Sequence, residues 1–242
     1  SVPARSIKGL DLEEQNRVQN TLLGVDYEHR NIAGNTLAAQ LYYRDFFTRF
    51  APFDARRVAV RGGNVDQSMQ NSEVYGGRLT IKSPFGESKT TQLVWGGDFH
   101  NEVTDMPLDI FDQVIYDASG GLVFKKTGKL IYMPEVTTDA SGAFAQLEHR
   151  VNKRWSIEAG TRYDRAKASF DDFIPLSQSK LANPGTVAGG SVDYDAWTYN
   201  AGTVFSLTKA HEIYASFSQG FQLPDIGLQV RNATPAFNIN SS

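Results

Sequence analysis

The chain has 242 residues, 40% of them hydrophobic, a formal net charge of -3 and no cysteine. That balance excludes a disulfide framework and a cysteine-based metal site, and it offers no basic stripe for nucleic acid. No apolar run reaches the roughly 18 residues of a membrane-crossing helix, and a mean hydropathy of -0.36 leaves open a membrane β-barrel, in which only alternate residues meet lipid.

Ser1-Val2-Pro3-Ala4-Arg5 show neither the charged start nor the apolar stretch of a signal peptide, so the chain is expected to be mature or a portion of a longer one. A first pair of strands is read from Thr21 to Arg44. Leu23, Val25, Tyr27 and His29 alternate with Gly24, Asp26, Glu28 and Arg30. Ile32-Ala33-Gly34-Asn35 then turns the chain, with Gly34-Asn35 free to take positive φ, and Leu37, Ala39, Leu41 and Tyr43 return. A second pair runs from Val74 to Phe99: Tyr75, Gly77, Leu79 and Ile81 share a face with Thr91, Leu93, Trp95, Gly97 and Phe99. Pro84 cannot donate to a ladder, which assigns Pro84-Phe85-Gly86-Glu87-Ser88 to the turn. A third pair, Ala143 to Asp164, turns at Val151-Asn152-Lys153-Arg154 and sets Trp155 and Tyr163 at opposite ends of one strand, where amphipathic rings favour the two membrane interfaces. A fourth, Trp197 to Gly220, turns at Leu207-Thr208-Lys209-Ala210-His211.

Eight strands are thus predicted, each near the ~9–11 residues that a tilted strand needs to cross a bilayer. Long polar segments, residues 45–72, 101–140 and 165–194, separate the pairs and are expected as loops. Tight turns on one side and long loops on the other are the layout of an outer-membrane β-barrel, with turns in the periplasm and loops outside the cell. A soluble β-sandwich or lipocalin-like barrel also alternates, but buries its apolar face and keeps loops short at both ends.

The second face carries Gly24, Gly76, Gly96, Gly160 and Gly202 beside Asp26, Glu28, Arg78, Asp98, Glu158, Arg162 and Asp164. These residues are too small and too charged to fill a narrow eight-stranded barrel. They suit the wall of a wide one, and the chain stops in a loop from Pro235 to Ser242 without a closing strand. It is therefore expected to be an arc of a larger wall.

The stretch Gly142-Ala143-Phe144-Ala145-Gln146-Leu147-Glu148, then Trp155 through Gly160-Thr161-Arg162-Tyr163-Asp164, resembles the paired strands of TonB-dependent receptors, with their "GxRYD" strand. Ile213-Tyr214-Ala215-Ser216-Phe217-Ser218-Gln219-Gly220-Phe221-Gln222-Leu223-Pro224 resembles the "YASFSxGFxxP" segment of that family. Gly190 to Asp195, Asn200-Ala201-Gly202 and Leu223-Pro224-Asp225 are similar to ferric aerobactin-type receptors. The resemblance covers about Thr21 to Gly227. It implies a 22-stranded barrel around a plug, of which residues 1–242 form part of one barrel domain, with plug, TonB box and C-terminal strands absent. It further implies a monomer in the Gram-negative outer membrane, in contact with lipid and lipopolysaccharide. Such a receptor binds a ferric siderophore with its outer loops and upper barrel wall. Uptake is driven by TonB-ExbB-ExbD through the plug, with no cofactor and no nucleic-acid partner. A receptor of the same architecture for cobalamin or heme, and a passive porin or structural barrel, are the alternatives.

His29, His100, His149 and His211 are scattered without metal-ligand spacing, and only His100 is read as near a loop mouth. No nucleophile arrangement, P-loop or dinucleotide fingerprint is found, so no enzyme is expected. The paired carboxylates Asp171 and Asp172 are read as solvated. Ligand-binding candidates lie where strands meet loops: Arg44, Phe46, Phe47, Arg49, Arg56, Arg57 and Arg61, with Phe99, Tyr116, Phe221, Gln222 and Arg231 beside them. Guanidinium forks and flat aromatic walls would hold an anionic ferric hydroxamate or citrate-based chelate.

Overall fold

The computed structural model describes residues 16–58, 61–86 and 90–239. Among these, nine strands form one sheet: β1 (Arg17–Ile32), β2 (Asn35–Arg49), β3 (Phe53–Asp54), β4 (Val65–Phe85), β5 (Thr91–Phe111), β6 (Lys126–Arg150), β7 (Trp155–Phe170), β8 (Gly190–Ser206) and β9 (Glu212–Ser218). Two short helices, α1 (Gln113–Ala118) and α2 (Ile226–Arg231), follow β5 and β9. The order β1-β2-β4-β5-β6-β7-β8-β9 is an antiparallel meander, with the two-residue β3 laid on the end of β4.

The tight turns fall where the sequence places them, with two changes of detail. In the first hairpin the left-handed residues are Ala33 (φ 50) and Gly34 (φ 82) rather than Gly34 and Asn35. Asn35 opens β2, and its side-chain amide donates to the Ile32 and Ala33 carbonyls, 3.2 Å each. Pro84 lies in β4, paired with Gln92 at the last rungs of the ladder, where a missing N–H costs one bond at most. Glu87 and Ser88, read as part of that turn, lie outside the described residues. The other two turns close between Arg150 and Trp155 and between Ser206 and Glu212. In the former the Asn152 side chain accepts from the Arg154 N–H at 2.8 Å.

Pairing puts every predicted apolar row on one face. Tyr27 opposes Ala39, Ala39 opposes Leu79, and Leu79 opposes Gly97; the row continues through Ala143 and Tyr163 to Trp197. These side chains point away from any core: Val25 is 67% exposed, Leu41 58% and Phe217 64%. A soluble domain would bury them, so that alternative is set aside. Aromatic pairs bound the apolar zone. Tyr43 opposes Tyr75, and Tyr163 opposes Trp197 with ring centroids 5.0 Å apart, at the end facing the long connections. Trp155 opposes Phe205 at the turn end. Beyond the upper aromatics the same face turns polar, with Asp45, Glu73, Asp139, Arg165, Asp193 and Asp195.

The predicted loops are largely strand. β4 and β5 have 21 residues each and β6 has 25, about twice what the bilayer requires. Only residues 50–64, 112–125 and 171–189 remain as connections. Apolar-to-polar alternation ends at the membrane boundary because both faces above it meet water. The backbone ladder continues there, since its hydrogen bonds do not depend on what the side chains face.

The strands are steeply staggered. One register row starts at Thr36, beside the first turn, and passes through Lys82, Val94, Gln146, Gly160 and Asn200. It ends at Ser218, the last residue of β9. A row that climbs from the bottom of one strand to the top of another is the shear of tilted strands in a curved wall.

The hydrophobic core lies on the polar face, above the apolar zone. Val136, Ala168 and Phe170 of the wall meet Phe173 and Val187 of the 171–189 connection, and Ile226, Val230, Ala233 and Ile239 of the segment after β9. That segment is thus folded onto the inner face as a cap. The geometry predicts that Leu79→Arg, in the apolar zone, destabilises the intact barrel by about 2–4 kcal/mol. Asp195→Arg, above the aromatic boundary, should change stability little. Urea unfolding from phospholipid vesicles measures both, and equal effects would contradict the assigned membrane zone.

Candidate functional site

The inner wall is built by polar side chains that cross from strand to strand over glycines. Asp98, Gly142 and Asp164 lie side by side on β5, β6 and β7. Arg162 is two residues below Asp164 on the same strand and therefore shares its face. Its Nε donates to Asp164 at 2.8 and 2.9 Å, while Nη1 and Nη2 reach across β6 to both Asp98 oxygens at 2.8 Å. The crossing is possible because position 142 has no side chain; a Cβ there would meet the guanidinium. Arg78 approaches Asp98 to 4.0 Å and lies over Phe144, 5.1 Å from its ring centroid. Two cations and two anions balance within the span of the membrane.

The same device recurs toward β2. Tyr42, Gly76 and His100 share a row, and a Cβ on Gly76 would meet the Tyr42 hydroxyl. With that space open, Tyr42 Oη and His100 Nδ1 are 3.0 Å apart. His100 Nε2 is 3.8 Å from Glu102, which accepts from Ser72 Oγ at 3.0 Å. His100 is therefore a wall residue in the middle of β5 rather than a residue near a loop mouth. Lower down, Glu148 and Glu158 face each other across β6 and β7 with Gln146 donating to both, at 3.3 and 3.2 Å.

Above the charged wall two cavities lie beneath the cap. A larger one of about 650 Å³ is lined by His100, Glu102, Thr138, Met133, Tyr194 and Arg231, among others. A neighbour of about 480 Å³ is lined by Arg162, Asp164, Thr198, Phe221 and Gln222. Ala140, Ala166 and Leu223 border both, so the strip after β9 divides one concave surface. A third cavity, of about 250 Å³ at the turn end, is lined by Gln92, Glu148, Glu158 and their neighbours, far from the cap. Asp225 caps α2, its Oδ1 accepting from the Leu228 N–H at 2.9 Å.

At the rim, Arg61 is 8% exposed and Asp66 fully buried, 3.5 Å apart. Burial pushes the Asp66 carboxyl up to about 6 despite the opposing pull of Arg61. Arg61 also lies 4.5 Å from the ring centroid of Tyr132, which Arg231 approaches to 5.2 Å.

The sequence candidates divide into groups. Arg231 lines the larger cavity and Phe221 and Gln222 the smaller. Arg44 and Phe46 share the inner face of β2, the guanidinium 4.9 Å from the ring, with Arg44 Nε donating to Asn20 at 3.2 Å. Phe47 and Arg49 alternate onto the other face, where Arg49 meets Met69. Arg56 is committed to Asp54 (2.6 Å) and to Asp117 (2.8 Å), 5.7 Å from the Tyr116 ring. That guanidinium and the Arg56 N–H hold Asp54 down at about 2. Arg57 is exposed beside it. Phe99 sits in the apolar outer zone opposite Gly77, so it faces away from the cavities. The candidates therefore do not form one site. The wall residues Asp98, His100, Glu102, Arg162 and Asp164, and Tyr132 at the rim, were not among them. Their period-two placement was the available signal for the wall charges; nothing local marks Tyr132.

A tall antiparallel wall, apolar outside and charged inside, with a capped concave face, defines a membrane β-barrel. The chain matches the family described as TonB dependent receptor-like, beta-barrel, over residues 4–241, and belongs to it. It is 31% identical over 225 residues to the ferric aerobactin receptor of Klebsiella pneumoniae, covering 90% of this chain and 30% of that protein. It is 29% identical over 223 residues to the rhizobactin receptor of Rhizobium meliloti, with the same coverages. The chain thus spans 30% of the length of these curated relatives. Among solved structures, the copper transporter OprC matches with a TM-score of 0.61 at 16% identity, covering 82% of this chain and 30% of that one. The siderophore receptor PiuA from Acinetobacter baumannii matches with 0.57 at 17%, covering 84% and 32%. At these identities the structures speak for the fold. The resemblance read from the "GxRYD" and "YASFSxGFxxP" segments is borne out, and the matched family is one of receptors rather than enzymes.

Two outcomes follow from this geometry. Gly142→Val is expected to displace Arg162 from Asp98 and cost about 2–3 kcal/mol, read from urea unfolding of the full barrel; an unchanged midpoint would show that the crossing carries no stability. Asp66 has a folded pKa above the ~3.9 of an unfolded aspartate. It therefore favours the folded rim below about pH 4, and that contribution is lost as pH rises through about 6. Asp66→Asn should flatten the pH dependence of amide exchange in residues 61–68, after correction for intrinsic rates.

Proposed function

We propose that the protein containing this chain is an outer-membrane receptor that takes up a ferric siderophore, binding it at the outer end of the barrel. The observation that carries the reading is family membership joined to a concave, partly polar cavity beneath an inward-folded cap. The two curated relatives, named as receptors for ferric aerobactin and for rhizobactin, support it. In this proposal iron arrives inside its chelate, so the protein contacts the organic shell and needs no cofactor of its own. Arg231, Phe221 and Gln222 are the candidates nearest the chelate, and Arg44 with Phe46 form a second cation–aromatic surface on the same face.

The apolar zone would meet lipid and lipopolysaccharide, and the protein would work as a monomer. Uptake would draw on TonB-ExbB-ExbD through a plug domain in contact with the inner wall. That contact suits the charges there, because the Glu148–Glu158 pair lies close together on the face that a plug would meet.

The full-length protein should bind ferric hydroxamate or citrate-hydroxamate chelates and restore growth of an iron-starved, receptor-deficient strain, in a TonB-dependent way. Binding of cobalamin or heme in their place would move the substrate class. TonB-independent leakage of small solutes would point to a passive pore.

A further inference from the structure

The rim cluster around Tyr132 holds an imbalance of charge. Two guanidiniums share one ring, Arg61 at 4.5 Å and Arg231 at 5.2 Å from its centroid. A single carboxylate, Asp66, is paired with them, 3.5 Å from Arg61. Arg61 has Nη1 buried without a hydrogen-bond acceptor, and Arg231 has Nε in the same condition. Among the described residues no carboxylate pairs with Arg231. Three other arginines differ: Arg162 has two carboxylates, Arg56 two and Arg78 one, while Arg44 on the inner face of β2 donates to the Asn20 side chain instead.

Buried cations without a counter-charge are costly, and a guanidinium resting on an aromatic ring still presents its outward N–H groups as a planar fork. Arg231 lines the cavity of about 650 Å³. The two acids of that cavity are otherwise engaged. Asp225 caps α2 through Oδ1, and Glu102 is held by Ser72 with His100 beside it, farther down β5 toward the turns. In the cavity lining Arg231 and Asp225 thus sit at the two ends of α2, while Glu102 lies lower on the wall.

Resting on the siderophore reading above, we infer that Arg231, set beside Arg61 on the ring of Tyr132, is the docking point for a free carboxylate of the chelate. The fork receives the carboxylate in two parallel N–H···O bonds, and the ring fixes the plane of the guanidinium. Uncharged hydroxyl or amide groups of the same ligand then face Glu102 and His100. The ligand class is a ferric chelate that keeps at least one carboxylate uncoordinated and ionised.

The test uses the full-length receptor and one pair of probes: a ferric citrate-hydroxamate chelate with a free carboxylate, and its methyl ester. Wild type should bind the acid at least tenfold more tightly than the ester. Arg231→Gln should remove that preference by weakening the acid alone, and Arg231→Lys should restore it only in part. Equal affinity for the two probes in wild type, or a preference that survives Arg231→Gln, overturns the inference while leaving the receptor reading intact. Equal weakening of both probes in Arg231→Gln assigns Arg231 a structural role and also overturns it. A separate titration with iron-free citrate distinguishes the two readings. Citrate binding that depends on Arg231, with no chelate bound, would keep the carboxylate site and remove the siderophore reading. If wild type binds neither citrate nor chelate, both fail.

Discussion

Inside a bilayer a backbone N–H or carbonyl has no water to turn to, and leaving one unpaired costs several kcal/mol. The antiparallel ladder from β1 to β9 answers that constraint, and the rest of this wall follows from it. Once each strand is paired along its length, side chains must alternate between two faces. One face can then be wholly apolar while the other carries arginines and aspartates a few ångströms away. The register shared by Tyr27, Ala39, Leu79, Gly97 and Ala143 is specified because a slip of one residue would send the inner charges into lipid.

That inner face solves a second problem, which is to carry charge at membrane depth without stranding it. Arg162 reaches Asp98 and Asp164 only because Gly142 leaves the path open, and Tyr42 reaches His100 over Gly76 in the same way. A glycine between two long polar partners is therefore a bridge point in the wall. Its cost in backbone entropy is offset by charge-assisted hydrogen bonds formed away from bulk water. The rim differs. There Arg61, Arg231 and Asp66 leave the charges unequal, and Arg231 lines the larger cavity beneath the cap.

The cap itself depends on strands that outrun the membrane. Because β6 and β7 continue above the aromatic boundary, their inner faces supply Val136, Ala168 and Phe170 as a platform, with Val192 and Tyr194 of β8 packed beside it. The segments 171–189 and 225–239 bury their apolar residues against it. A connection that would otherwise be a solvated loop thus becomes a folded element, and its helix α2 brings Arg231 over Tyr132.

The sequence by itself determined the apolar rows, the places of the tight turns and the inward placement of Asp98, Arg162 and Asp164. A period of two is a local property that survives any tertiary arrangement. It also carried the family through the "GxRYD" strand, whose Arg and Asp face in while its Tyr faces the aromatic boundary. It did not determine where the strands end, because alternation in polarity disappears once both faces meet water. Nor did it separate Phe99, on the lipid face, from the inner candidates, or Arg56, already neutralised by Asp54 and Asp117, from Arg231. Those distinctions rest on stagger between strands and on contacts such as Arg61 and Arg231 with Tyr132, which join residues far apart in the chain. Only the tertiary structure decides them, since electrostatic pairing depends on distances in space that no local pattern records.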